Sequence, residues 1–250
     1  MTKKLIALLS LCACAAGPTA LPDEEGRGLV AYDPSPPKGA ELFERPTWRV
    51  GDRVVLLRGG RQRLEQVVVA ATGSGYELAD QTGSRMFRDL DLATLGESPG
   101  EGLPLTHRLA PKDVRYHWPL WVGKRWKCHY LDQSARGSMP FVVGYAVEAV
   151  DEISVPAGTF RCLRIVRTSE RATEDGADWF QGTMVIWYAP DIGIEVRQVI
   201  GGLSIDLIEW QASGGAPAAR RDRRSPAAAE AAGSETARAH SQGFLRAKSP

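Results

Sequence analysis

From Val143 to Val155 apolar and polar residues alternate. Val143, Tyr145, Val147, Ala149, Ile153 and Val155 stand against Gly144, Glu148, Glu152 and Ser154. A period of two sends the two sets to opposite faces of an extended chain, so the pattern predicts a long, half-buried strand. Trp126, Cys128 and Tyr130 alternate in the same way with Arg125, Lys127 and His129. The stretch from Trp179 to Tyr188 is apolar on both parities, as a strand covered on both faces should be. Two more strands are expected at 194–200 and 203–210, joined at Gly201-Gly202, and the interval 131–142 reads as a long loop. No segment of this region keeps a helical period for three turns.

The turns carry their own chemistry. In Val155-Pro156-Ala157-Gly158-Thr159, proline presets the first turn residue and glycine takes the left-handed position that follows. Ala189-Pro190-Asp191-Ile192-Gly193 repeats the device, so both sites predict tight hairpins. Upstream, Arg49–Leu57, Leu64–Ala71, Gly75–Ala79 and Arg85–Leu90 alternate between glycine-rich punctuation and read as a small meander. Its opening, Trp48-Arg49-Val50-Gly51-Asp52-Arg53, echoes Trp121-Val122-Gly123-Lys124-Arg125-Trp126. The echo suggests two related β units, with chance similarity as the alternative.

The expected fold class is therefore mainly β. A curved antiparallel sheet over 104–212 is preceded by a small β-meander module over 47–98. Residues 15–46 are rich in Pro, Gly and acidic side chains and read as a disordered linker. Residues 213–250, dominated by Ala, Arg, Gly and Ser, read as a disordered tail. The start of the chain carries an address. Lys3 and Lys4 precede an apolar run from Leu5 to Leu11, too short to span a bilayer, and small residues follow: the order of a secretory signal peptide. Leu11-Cys12-Ala13-Cys14 resembles a bacterial lipobox, with Ala13 as the small residue before the lipidated Cys14, so residues 1–14 are expected to be the lipoprotein signal. Cys12 fits less well, because Leu11 precedes it. Ordinary cleavage near Pro18-Thr19-Ala20, giving a soluble secreted protein, is the alternative. With Ala15 after the cysteine, the expected destination is the outer membrane, facing the periplasm.

Trp118-Pro119-Leu120, Val122-Gly123-Lys124-Arg125-Trp126, Val155-Pro156-Ala157-Gly158-Thr159-Phe160, Trp187-Tyr188-Ala189-Pro190 and Gly193 together resemble a family of bacterial secreted and lipoprotein domains of unknown function. That resemblance implies a strongly curved antiparallel sheet, similar in some relatives to the half-barrel of lipoprotein carriers. It supplies no catalytic residues.

Candidate chemistry is sparse. The formal net charge of +1 gives no nucleic-acid footprint. His107, His117, His129 and His240 form no short-range metal or zincin spacing, and no nucleophile elbow or phosphate loop occurs, so no catalytic residue, metal or cofactor is expected. Glu148 and Glu152 fall on a polar strand face and read, with Asp151, as solvated charges. Cys128 and Cys162 are left as either a disulfide or two buried thiols. In a simple meander their strands would flank a third, too far apart to bridge. Trp118, Trp121, Trp126, Trp179, Trp187 and Trp210 suit a ring-filled core, or a groove for an apolar ligand. The expected function is an outer-membrane lipoprotein with a non-catalytic β domain, held to the membrane by its lipid and binding an apolar small molecule, an envelope component or a protein partner. The alternatives are an envelope hydrolase, pairing His117 or His129 with Asp132 or Glu170, and a structural subunit of an envelope assembly.

Overall fold

The computed structural model describes residues 28–171 and 182–214. Among the described residues every regular element is a strand: β1 (Gly28–Tyr32), β2 (Arg53–Arg58), β3 (Gln62–Ala71), β4 (Gly75–Asp80), β5 (Arg85–Asp89), β6 (Thr94–Ser98) and β7 (His107–Asp113). They continue with β8 (Arg125–Ser134), β9 (Gly137–Val155), β10 (Gly158–Arg171), β11 (Gly182–Ala189), β12 (Ile194–Ile200) and β13 (Leu203–Gln211). From β2 onward each strand pairs antiparallel with the next, and β13 pairs with β2. The twelve strands β2–β13 thus close into an up-and-down barrel, which leaves no long free edge. Residues 47–98 and 104–212, read from sequence as two β units, contribute to this one sheet. Closure through β13 and β2 carries the expected half-barrel round to a full one.

Alternation sorts the side chains. Val68, Tyr76, Leu78, Trp126, Tyr145, Val147, Leu163, Ile165, Ile186 and Tyr188 meet in one buried cluster inside the barrel. Outward positions carry ion pairs instead: Arg53 with Glu65 and Glu209, Arg85 with Glu77, and Arg197 with Asp206. Apolar inside and charged outside is the reverse of a membrane-spanning barrel, whose outer band faces lipid. A second cluster forms where the end of the β9–β10 hairpin leans onto β12 and β13. There Val155, Phe160 and Cys162 pack with Trp187, Ala189 and Val196, and the Ala157 amide donates to the Leu207 carbonyl at 3.2 Å. β11 is therefore covered on both sides, Ile186 and Tyr188 by the interior and Trp187 by the hairpin end, as its two-parity pattern predicts.

The two echoing turns are built alike. The Gly51 amide donates to Val68 O at 2.8 Å and the Gly123 amide to Val147 O at 2.7 Å. Val68 N donates to Asp52 O, and Val147 N to Lys124 O, both at 2.9 Å. Both glycines have positive φ, 91° and 96°, which explains the residue type. Each turn feeds a strand two residues later, β2 or β8, paired antiparallel with the next. The sequence echo is a repeated structural device.

Three segments depart from the sequence reading. Residues 28–46, expected as tether, lie on the barrel: β1 pairs with Trp126–His129 of β8, along the edge that β7 leaves open by pairing only with Leu131–Ser134. Phe43, 7% exposed, bridges to Leu120. Unmet backbone groups of β8 draw this polar stretch into order. The expected loop at 131–142 is instead strand, because β8 and β9 pair from Ser134–Gly137 onward with Met139 and Phe141 keeping the alternation. Finally β6 and β7 were not marked by any pattern. β6 is short and charged, and Pro111 disguises β7.

Candidate functional site

A cavity of about 60 Å³ opens among β2, β3, β4, β5, β12 and β13. Its wall is mostly apolar: Val54, Leu56, Val68, Leu78, Leu92 and Ile194, with Trp48, Trp210 and Tyr188 as rings. The β11–β12 turn shapes the mouth. Gly193 sits at φ 68°, and its amide donates to Ala189 O at 2.9 Å, the type I turn with bulge expected from the sequence. Its own carbonyl accepts from Trp48 Nε1 at 3.0 Å, which fixes the indole at the rim. A Cβ on Gly193 would lie 2.6 Å from Pro46 Cβ, so no larger residue fits.

Polar groups enter the cavity at one side. Glu195 accepts two hydrogen bonds from Arg115, Nε at 2.6 Å and Nη2 at 2.7 Å, and others from Tyr116 OH and from Gln198 Nε2 at 2.5 Å. Burial raises the Glu195 pKa, but the Arg115 and Arg88 cations and these hydrogen bonds outweigh it and hold the carboxyl below its usual range. The Tyr116 phenol is pushed well up, by burial first and by Glu195 second. Arg88 reaches the same cavity with its Cζ 5.5 Å from the centre of the Trp48 ring. Asp52 lies at the rim, its carboxylate accepting from Arg49 N at 2.7 Å and Ser213 N at 2.8 Å.

A second buried polar group is structural. Asp113, 6% exposed, accepts from Tyr145 OH at 2.7 Å. Arg167 bonds Tyr145 OH at 3.1 Å and Tyr130 OH at 3.0 Å and stands 3.6 Å from Asp113. Every charge there has a partner, as a buried network requires.

Of the residues singled out from sequence, Cys14 lies outside the described residues, as do Trp179 and His240. The Cys128–Cys162 bridge does not form, and both thiols are free and buried. Their strands flank β9, where Cys128 lies opposite Val143 and Cys162 opposite Asp151, roughly 26 Å apart along that strand. Cys128 also faces Asp113 inside the barrel, whereas Cys162 lies in the hairpin-end cluster. Burial raises the Cys162 thiol to about 12 and Cys128 further. His117 is half-buried against Tyr32, ring centres 4.7 Å apart, and its pKa is lowered by burial and by Lys124. His129 is half-buried on β8 opposite Gly28. Asp132 meets His107 at 2.5 Å, a histidine the hydrolase reading did not choose, and neither lines the cavity. Glu148 and Glu152 are exposed as expected, while Asp151 accepts from Trp187 Nε1 at 2.9 Å. Among the described residues no group of three or more His, Cys, Asp or Glu could hold a metal. Trp118 and Trp126 fill the core and Trp210 reaches the cavity. Arg88, Arg115 and Glu195 were missed, since single charges within strands look like any solvated face.

Residues 136–199 match the model of a family described as DUF3108-like. They coincide with β9 to β12 and include Val155–Phe160, Trp187–Pro190 and Gly193, whereas Trp118–Leu120 and Val122–Trp126, also quoted for the resemblance, lie outside the match. No curated protein matches the chain. Among solved structures, it is similar to the hypothetical lipoprotein YmcC of Escherichia coli, with 11% identity and a TM-score of 0.43 over 63% of this chain and 83% of that one. An inferred lipoprotein of Parabacteroides distasonis gives 11% identity and a TM-score of 0.37 over 68% of this chain and 100% of that one. An inferred exported protein of Bacteroides fragilis with a YmcC-like fold gives 12% and 0.34 over 68% and 99%.

Proposed function

We propose that this protein is an outer-membrane lipoprotein, attached through acyl chains such as palmitate on Cys14 and facing the periplasm, whose non-catalytic barrel binds an apolar small molecule. The observation that carries the reading is the cavity, walled by aliphatic and indole side chains, with a few polar groups on one side. That composition suits a ligand with an apolar body, in keeping with the carrier-like resemblance read from the sequence. Among the described residues that line it there is no histidine, cysteine, serine or lysine, and its carboxylates are already engaged, Glu195 by Arg115, Tyr116 and Gln198 and Asp52 by two backbone amides. Outward ion pairs keep the barrel wall in water, which leaves membrane attachment to the amino-terminal lipid.

The test is binding of N-phenylnaphthylamine to the delipidated full-length protein, followed by its fluorescence, together with a Leu56→Arg variant that fills the cavity with charge. The wild type should brighten the probe and the variant should not. A wild type that leaves the probe dark, or a variant that binds it equally well, overturns the reading. Labelled palmitate entering the wild type but not Cys14→Ala tests the anchor independently.

A further inference from the structure

Two buried polar groups in the cavity lack a hydrogen-bond partner. Arg88 Nε is buried with no hydrogen-bond partner, and among the described residues no carboxylate lies within ion-pair distance of this guanidinium. The Tyr188 hydroxyl is also buried without a partner, and both residues line the same cavity. The neighbouring carboxylates are already engaged, Glu195 by Arg115, Tyr116 and Gln198, and Asp52 by two backbone amides. Burial pushes the Arg88 pKa down, Glu195 partly restores it, and Arg115 adds to the fall. An arginine still keeps its proton, so the strain appears as an under-compensated buried cation. Buried polar groups are almost always satisfied, and a pair left open in one cavity calls for an outside partner.

We propose that Arg88 is the head-group contact for an organic carboxylate with an apolar tail, and that Tyr188 donates a second hydrogen bond to it. This rests on the cavity being a binding site and names the class of its ligand. A planar carboxylate matches the guanidinium fork, and one cation with one phenol suits a monoanion better than a phosphate. The tail would lie along Val54, Leu56, Val68 and Leu78.

Isothermal titration of the full-length protein with decanoate and with decanol, near neutral pH, separates the two ideas. Decanoate should bind about ten- to a hundredfold tighter than decanol, the worth of a hydrogen-bonded charge. Arg88→Met should bring decanoate down to the decanol level while decanol binding stays, which also shows that the cavity persists. Tyr188→Phe should lose part of the same preference. Equal affinity for the two probes in the wild type, or undiminished decanoate binding by Arg88→Met, overturns the assignment of Arg88. If neither probe binds the wild type, the cavity reading falls and this one with it.

Discussion

Lys124 is 1% exposed, and among the described residues no carboxylate lies within ion-pair distance of its ammonium. It donates to His117 O at 2.6 Å and Pro119 O at 2.7 Å and lies 4.1 Å from the centre of the Trp121 ring. Burial lowers its pKa from the ordinary 10.5 to about 8, against a small upward pull from Asp33. Such a gap corresponds to about 3 kcal/mol of disfavoured charge in the fold. Below about pH 8 both folded and unfolded chains hold the proton, and the cost is present in full. From about pH 8 to 10.5 only the unfolded chain holds it, so this group makes the fold more stable by about 1.4 kcal/mol per pH unit. Above 10.5 both are neutral and the gain is complete. Lys124→Met removes the titration but strands two carbonyls, at about 1–3 kcal/mol each, so near neutral pH the two effects roughly cancel. The decisive quantity is the difference between wild type and variant across pH, measured by urea unfolding followed through tryptophan fluorescence. Other titrating groups are common to both proteins and drop out. The wild type should gain on the variant by about 3 kcal/mol between pH 8 and 10.5. A flat difference would refute the claim that this lysine is held against its charge.

Glu195→Gln should cost about 3–5 kcal/mol in urea unfolding, because Arg115 would remain as a buried cation without its paired anion. In the wild type the Glu195 contribution is present above its ordinary 4.5 and is lost as pH falls through the lower folded value, so acid unfolding of the variant should show a smaller pH dependence there. Gly193→Ala combines a residue at φ 68° with a Cβ 2.6 Å from Pro46, and thermal unfolding should report a loss of about 1–3 kcal/mol. Cys128 and Cys162 should resist a thiol reagent in the native protein and both react in urea without reductant; absence of that reaction would revive a bridge.

Strands with one clean buried face were legible because burial writes a period of two into the sequence. Val143 to Val155 and the meander from Arg49 to Leu90 fall within a few residues of β9 and of β2 to β5. The proline-glycine turns were legible for the same kind of reason, a backbone requirement that few residues meet. Closure was not, because the β13–β2 ladder joins segments far apart in the chain, Ile205 with Arg58 and Gln211 with Arg53, through backbone groups that every residue carries. β1 was hidden likewise, its order imposed by the edge of β8 and not by its own composition. In the candidate site, Trp210 was one of six rings read as core or groove, but Arg88 and Glu195 were invisible. A charge at an inward position announces itself only when the parity of its strand is known, and β5 is too short and too mixed to show its parity.

Pairing of β1 with β8 sets how far the barrel can travel. On the proposed Cys14 anchor, only thirteen residues lie between the lipidated cysteine and Gly28, where β1 joins the sheet. Fully drawn out they reach roughly 50 Å, whereas a leash running free to Trp48 would more than double that. On that anchor, the first strand would act as a cleat, holding the barrel within a short radius of the bilayer.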